Sequence, residues 1–273
     1  MNVRINGRRI ATIDHRDRGL QYGDGLFETM RIRRGAVRLI DYHLERLLDG
    51  CRRLNIDPPN EHRLRRELAG AAAAHTSAVL KLIVTRGVGP RGYRPSGRER
   101  STRIVSVSAL PRASVLAFDR PIRVRLCQMR LGANPRLAGL KTLNRLESVL
   151  ARSEWTDPRI HEGLMRDGAD RFVCGTMSNL FLRRGNLLIT PLLDRCGVAG
   201  VMRRWVLEQA GSIGVTPVER RVGTRELQSA EEVFMTNAVA GPRPVAEVRL
   251  GAVRIRPPMT ATALQLRALL DQL

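Results

Sequence analysis

Lysine is nearly absent from this chain. Of its 47 basic residues, only Lys81 and Lys141 are lysine, and all the others are arginine. That bias excludes amine chemistry from most basic positions and singles out the two that stay lysine, because a guanidinium serves neither as nucleophile nor as titratable base. Cysteine is sparse as well. Cys51, Cys127, Cys174 and Cys196 form no CxxC pair, which excludes a disulfide framework and leads us to expect a reduced, cytoplasmic protein. The five histidines, at 15, 43, 62, 75 and 161, lack metal-ligand spacing, so no metal is expected. No apolar run approaches the ~20 residues of a membrane span. The arginine-rich first twenty residues do not read as a secretory signal. Acidic residues number 26, which leaves a net charge of +21. Such a balance raises the suspicion of nucleic-acid binding. However, the arginines are spread along the whole chain. Two Trp, three Tyr and five Phe offer little to stack on bases. A small anionic substrate is the better expectation, with neither nucleic acid nor membrane as partner.

The 273 residues allow one large domain or two moderate ones, with ample core for either. Asn6-Gly7 and Arg34-Gly35 read as hairpin turns. Leu44, Leu47, Leu48, Cys51 and Leu54 recur at helical spacing, with Asp41 as N-cap and His43 as a surface or capping residue. A second helix is predicted over 61–74, and strands over 79–86 and 103–109. The stretch 111–121 has no clear period, so the predicted organisation is a domain over 1–112, a linker over 113–121 and a second domain over 122–273. In the second domain strands are predicted near 122–129, 163–166, 171–174, 179–183, 187–190, 215–221, 233–236 and 245–255. Helices are predicted over 143–155, from Val201 to Gly211, and over 260–271. Helix and strand mix without regular βαβ alternation, so the expected class is α+β in two domains.

GVGPRG at 87–92 matches GxGxxG after a strand. It is not followed by the helix whose N-terminus a dinucleotide needs, so it is set aside. Gly197 and Gly200 precede a predicted helix. Glycines there expose backbone N–H groups to an anion, although a tight strand-to-helix turn without ligand explains them equally. Lys81 lies in an apolar strand. Lys141 lies between a Gly/Pro loop and a helix, a junction that presents an amine into a cleft. A partly desolvated lysine can form a Schiff base with a carbonyl cofactor; a structural ion pair is the plain alternative for each lysine. A lysine plus a phosphate cup is the minimum kit for pyridoxal phosphate.

Seven segments then carry a resemblance. They are DRGLQYGDGLFETMR, HLERLLDGCRRL, RGVGPRGY, RLGANPRLAGLKTLNRLESVLAR, SNLF, LDRCGVAGVMRR and EVFMTNA, running in order from residue 16 to residue 244. The chain resembles the pyridoxal-phosphate enzymes of fold type IV. RLGANPRLAGLK and RGVGPRGY look like the aminodeoxychorismate lyases more than the branched-chain or D-amino-acid aminotransferases of the same group. The resemblance implies a smaller N-terminal α/β domain, a larger barrel-like C-terminal α/β domain, a homodimer, and conversion of aminodeoxychorismate to 4-aminobenzoate and pyruvate for folate synthesis. Lys141 would hold the cofactor and move the proton. Arg46, which periodicity alone reads as a solvated helix position, would grip the phosphate. Val201 and Met202 would bind that phosphate through backbone N–H groups, with Thr236 and Asn237 on a second loop at the phosphate and substrate. Arg91 and Tyr93 are candidates for substrate carboxylates. One departure matters: Cys174 stands where the family has a glutamate that pairs with the pyridine nitrogen. A thiol cannot clamp a pyridinium as a carboxylate does.

Overall fold

The structure is a computed structural model that describes residues 2–10, 12–110, 120–258 and 261–273. The chain divides into two compact units. The first is Met1–Arg112 with Leu140–Asn144, and the second is Ala113–Gly139 with Arg145–Leu273. The expected break near residue 112 coincides with this division. Residues 113–119 of the expected linker lie outside the described residues. One expectation is corrected: Lys141 belongs to the first unit, although the chain on either side of 140–144 belongs to the second. The cause is local backbone pairing, described with the site below.

The first unit is a five-stranded antiparallel sheet in the order β1 (Asn2–Ile5), β5 (Thr102–Ser108), β4 (Ser77–Thr85), β2 (Gly25–Arg33), β3 (Ala36–Val37). β2 alternates strictly. Leu26, Glu28, Met30 and Ile32 face inward, while Phe27, Thr29, Arg31 and Arg33 stay half-buried on the other side. Arg34 and Gly35, both at positive φ, make the two-residue turn into β3. Asn6-Gly7 makes the same kind of turn, but only a single bridge, Ile5 to Arg8, follows it, because β1 pairs with β5 instead. A short helix α1 (Arg18–Tyr22), which sequence reading missed, precedes β2. The inward sheet face is covered by α2 (Ile40–Arg53) and α3 (Glu61–Ala72), through Leu44, Leu47, Cys51, Leu64 and Leu68. α2 starts two residues earlier than expected. Its N-cap is Leu39 at φ 55 without a side-chain bond, and Asp41 lies in the first turn.

The second unit closes a ring of six strands: β9 (Asn179–Arg184), β12 (Glu232–Asn237), β13 (Gly241–Leu250), β6 (Ile122–Leu131), β7 (Glu162–Asp167) and β8 (Phe172–Gly175). A Cys174–Asn179 pairing returns β8 to β9. Closure leaves no exposed edge within the ring. Its core is apolar, with Leu164, Leu180, Leu182, Val233, Met235 and Val248. β10 (Leu187–Pro191) and β11 (Thr216–Arg220) extend the sheet beyond β9, and β14 (Val253–Ile255) pairs with β13. Among its described residues the unit also carries the α-helices α4 (Leu146–Arg152), α5 (Val201–Gln209), α6 (Thr224–Gln228) and α7 (Thr262–Leu270), with a 3-10 turn at Ala210–Ile213 after α5. The predicted strand 245–255 is thus a hairpin, and the predicted helix 143–155 shortens to α4.

Candidate active site

In the first unit, residues 141–143 pair with β2 around an isolated antiparallel bridge, Leu26 to Thr142. Phe27 N donates to Lys141 O at 3.0 Å, and Leu143 N donates to Gly25 O at 3.0 Å. Gly25 is required by this close approach: a Cβ there would lie 2.6 Å from Val84 O and 2.9 Å from Leu143 Cδ1. Lys141, half-buried, places Nζ 4.1 Å from the Phe27 ring centroid. The other lysine, Lys81, has its Nζ 5.2 Å from the same centroid. Lys81 was expected inside a buried strand. It is exposed, because the alternation of β4 turns Leu80, Leu82 and Val84 inward and Lys81 outward.

On the inward side of β2, Glu28 meets two α2 side chains. His43 Nδ1 lies 2.6 Å from Oε2, Arg46 Nε 2.8 Å from Oε1, and Arg46 Nη2 2.5 Å from Oε2. His43 is therefore neither surface residue nor cap, since it is buried at 1% exposure against the carboxylate. Arg46 is no solvated helix position either, with its side chain 15% exposed. Burial pushes the Glu28 carboxyl up, but the charges of Arg46 and His43 and their hydrogen bonds outweigh it and hold it at about 2. Burial lowers His43, and among the charges that act on it is Lys141.

Arg91 and Tyr93 lie on an exposed loop of this unit, and Tyr93 is 86% exposed. Sequence reading missed what holds that loop. Arg18, buried, donates from Nη1 to Gly92 O at 2.7 Å and from Nη2 to Tyr93 O at 2.8 Å, with Nε on Asp24 at 3.0 Å. The signal was an arginine beside Gly19 in DRGLQYGDG, and its two partners in the loop are more than seventy residues away.

The second unit carries the start of α5. Gly197 has φ 85, and a Cβ on Gly200 would lie 2.0 Å from Asn179 Oδ1. Asn179 Nδ2 donates to Val198 O at 2.9 Å, pinning the loop. α5 then begins without any side-chain cap, so the Val201 and Met202 amides keep the polarity of an open helix start. Thr236 pairs across the ladder with Asn179. It is 1% exposed, and its Oγ1 is buried without a hydrogen-bond partner among the described residues. Asn179 thus ties Thr236 to the Gly200 turn. Asn237 is partly engaged elsewhere: its Oδ1 accepts from Val239 N at 3.1 Å and Ala240 N at 2.8 Å, shaping the next turn. Thr236 and Asn237 line a cleft together with Ser178, Glu162, His161 and Arg243. Buried Glu162, also missed in the sequence, organises its rim. It accepts from Thr176 N at 3.0 Å, Thr176 Oγ1 at 2.5 Å and Ser178 Oγ at 2.7 Å.

Cys174 sits on β8 opposite Asn179. Burial pushes its thiol up to about 12, so it stays protonated and neutral. The structure thus brings Lys141 and Arg46 together in one unit, and Val201, Met202, Thr236, Asn237 and Cys174 in the other.

Comparison with known proteins follows this geometry. The Amino-transferase class IV family model matches residues 25–248. An aminodeoxychorismate lyase of Vibrio harveyi is 33% identical over 89% of this chain and 90% of its own. The crystal structure of 4-amino-4-deoxychorismate lyase from Pseudomonas aeruginosa superposes with a TM-score of 0.92 at 46% identity, covering 99% of this chain and 98% of that one. The pyridoxal-phosphate-bound form of a hypothetical aminotransferase from Mycobacterium tuberculosis has a TM-score of 0.81 at 22% identity, over 96% and 93% of the two chains, and shares the fold. No helix among the described residues is long and apolar enough to cross a membrane.

Proposed function

The chain belongs to the Amino-transferase class IV family, and from that premise we propose that it is a pyridoxal-phosphate-dependent lyase. It converts 4-amino-4-deoxychorismate to 4-aminobenzoate and pyruvate. The likeness that carries this reading is the lyase at 46% identity over nearly the whole chain. The residues present fit the cofactor. Lys141 offers an amine against an aromatic ring. Thr236 Oγ1 is a buried hydroxyl without a partner among the described residues, and the α5 start is uncapped beside a glycine that admits no Cβ. Thr236, Val201 and Met202 would hold the phosphate with Arg46 as its cation, and Asn237 would line the substrate side.

When bound, pyridoxal phosphate supplies the electron sink for the carbanion. This chain's residues do the rest. Lys141 first anchors the cofactor and then, as a free amine, takes the proton from the substrate carbon that bears the amino group. The neighbouring ether C–O bond breaks, the ring becomes aromatic, and the enolate that leaves takes up a proton to become pyruvate, balancing the one removed by Lys141. Arg91 and Tyr93 are the proposed contacts for substrate carboxylates. Neutral Cys174 lies where the family carboxylate supports the pyridine nitrogen. That arrangement suits an elimination drawn forward by aromatisation better than transamination. In the same reading the substrate is a small anion, the enzyme is a cytoplasmic homodimer, and its product feeds folate synthesis.

The test is direct. The purified, cofactor-loaded protein given aminodeoxychorismate should release 4-aminobenzoate and pyruvate in equal amounts. Borohydride reduction and peptide mapping should find the cofactor on Lys141. Stable amino-group transfer from an amino acid to the cofactor, with no 4-aminobenzoate formed, would instead make the protein an aminotransferase. Cofactor recovered on Lys81 would overturn the site.

A further inference from the structure

Glu28 is a carboxylate on the core side of a sheet. It sits in β2 between Leu26 and Met30, at 1% exposure, against α2. Where stability is the only demand, an apolar residue serves such a position at least as well as a buried ion pair. Its location is fixed: β2 is hydrogen-bonded to β4 in unbroken register from Gly25 to Arg33, with Glu28 opposite Leu82. Each of its oxygens has a defined partner. Oε1 takes Arg46 Nε at 2.8 Å, while Oε2 takes both Arg46 Nη2 at 2.5 Å and His43 Nδ1 at 2.6 Å.

An ionised Glu28 carboxylate only accepts, so His43 Nδ1, 2.6 Å away, carries a proton and donates to Oε2. Its buried Nε2 has no hydrogen-bond partner among the described residues. The imidazole thus supplies orientation. Glu28 in turn fixes the Nε–Nη2 side of the Arg46 guanidinium, and with it the plane of the whole fork. An arginine left to itself would lose many rotamers on meeting a ligand. One already fixed by a rigid strand loses few.

We propose that Glu28 and His43 are positioning residues for the cofactor phosphate, holding the Arg46 guanidinium in the orientation in which it meets that group. The proposal rests on Arg46 being the cation of the phosphate, as read above. Neither residue touches the reacting atoms; both act through Arg46.

The experiment titrates cofactor-free protein separately with pyridoxal phosphate and with pyridoxal, which has the same ring and aldehyde but no phosphate. Absorbance reports binding, and the ratio of the two dissociation constants reports phosphate recognition. Glu28→Gln should weaken pyridoxal phosphate about tenfold or more, the scale of a charge-assisted hydrogen bond, and leave pyridoxal within about twofold. Glu28→Asp should recover part of the ratio. His43→Asn, which leaves the Glu28–Arg46 pair in place, should shift the ratio in the same direction by less. It also carries the test if Glu28→Gln fails to fold, as thermal unfolding of each cofactor-free variant will show. Equal weakening of both ligands would make Glu28 a purely structural ion-pair partner and overturn the proposal. So would an unchanged ratio in Glu28→Gln while Arg46→Ala collapses it. A ratio untouched by Arg46→Ala would instead refute Arg46 as the phosphate cation, a separate failure.

Discussion

Cys174 shows how far a single residue decides chemistry. A carboxylate at its place would bring a charge into a region shared with Cys196, Glu162 and Arg145; the thiol brings none, since burial keeps it protonated. It therefore serves as a small neutral filler on β8 and not as a nucleophile. Cys174→Ser should keep lyase turnover within about tenfold, a barrier change of ~1.4 kcal/mol. A far larger loss in steady-state kinetics, with the cofactor bound and the fold intact by circular dichroism, would show that the sulfur takes part in the reaction. Histidine 43 teaches the complementary lesson. Read by spacing alone it is a surface or capping residue. Its burial follows from a carboxylate fifteen residues earlier on a strand, which no local pattern announces.

At the scale of elements, the α5 start depends on one missing side chain. Gly200 lies where a methyl group would come within 2.0 Å of Asn179 Oδ1, and Asn179 in turn holds Val198 and pairs with Thr236. Gly200→Ala must push the turn off Asn179. We expect a stability loss of about 1–3 kcal/mol, the usual cost of overpacking, together with weaker pyridoxal phosphate binding. Denaturant unfolding without cofactor and a cofactor titration separate the two effects. Normal values in both would mean that the turn relaxes freely and that the cup does not need it. The loop of Arg91 and Tyr93 is likewise built by a different element, since both carbonyls at Gly92 and Tyr93 are taken by Arg18 of α1.

For the whole molecule, the +21 charge is the dominant property. Many arginines pair with carboxylates, as in Arg221 with Asp194 and Arg86 with Asp24, but such pairs already cancel in the net figure. The excess of +21 repels itself, and salt should relieve it. Raising ionic strength from ~0.01 M to ~0.15 M shortens the Debye length from ~30 Å to ~8 Å and should raise the melting temperature. Duplex DNA should bind no tighter than the non-specific range of ~10⁻⁴–10⁻⁶ M at physiological salt. Sequence-selective binding near ~10⁻⁸ M would show that the charge is a nucleic-acid surface after all.

Local sequence marked most of the elements and the singular residues. The Leu44/Leu47/Cys51 stripe specified α2, and positive-φ turns at Asn6-Gly7 and Arg34-Gly35 followed from residue type, because these depend on neighbours a few residues apart. The scarcity of lysine marked Lys141, and the ordered motifs marked the family. Only the tertiary structure decided which unit holds Lys141, that Lys81 faces outward, and that the ring closes through Cys174 and Asn179. It also decided that Arg46 is anchored by Glu28 and that Arg18 reaches across to the loop at 92–93. Each of these joins residues far apart in the chain. Strand register, closure and buried polar pairing are set by the competition of all segments for partners, and local spacing carries no record of that competition.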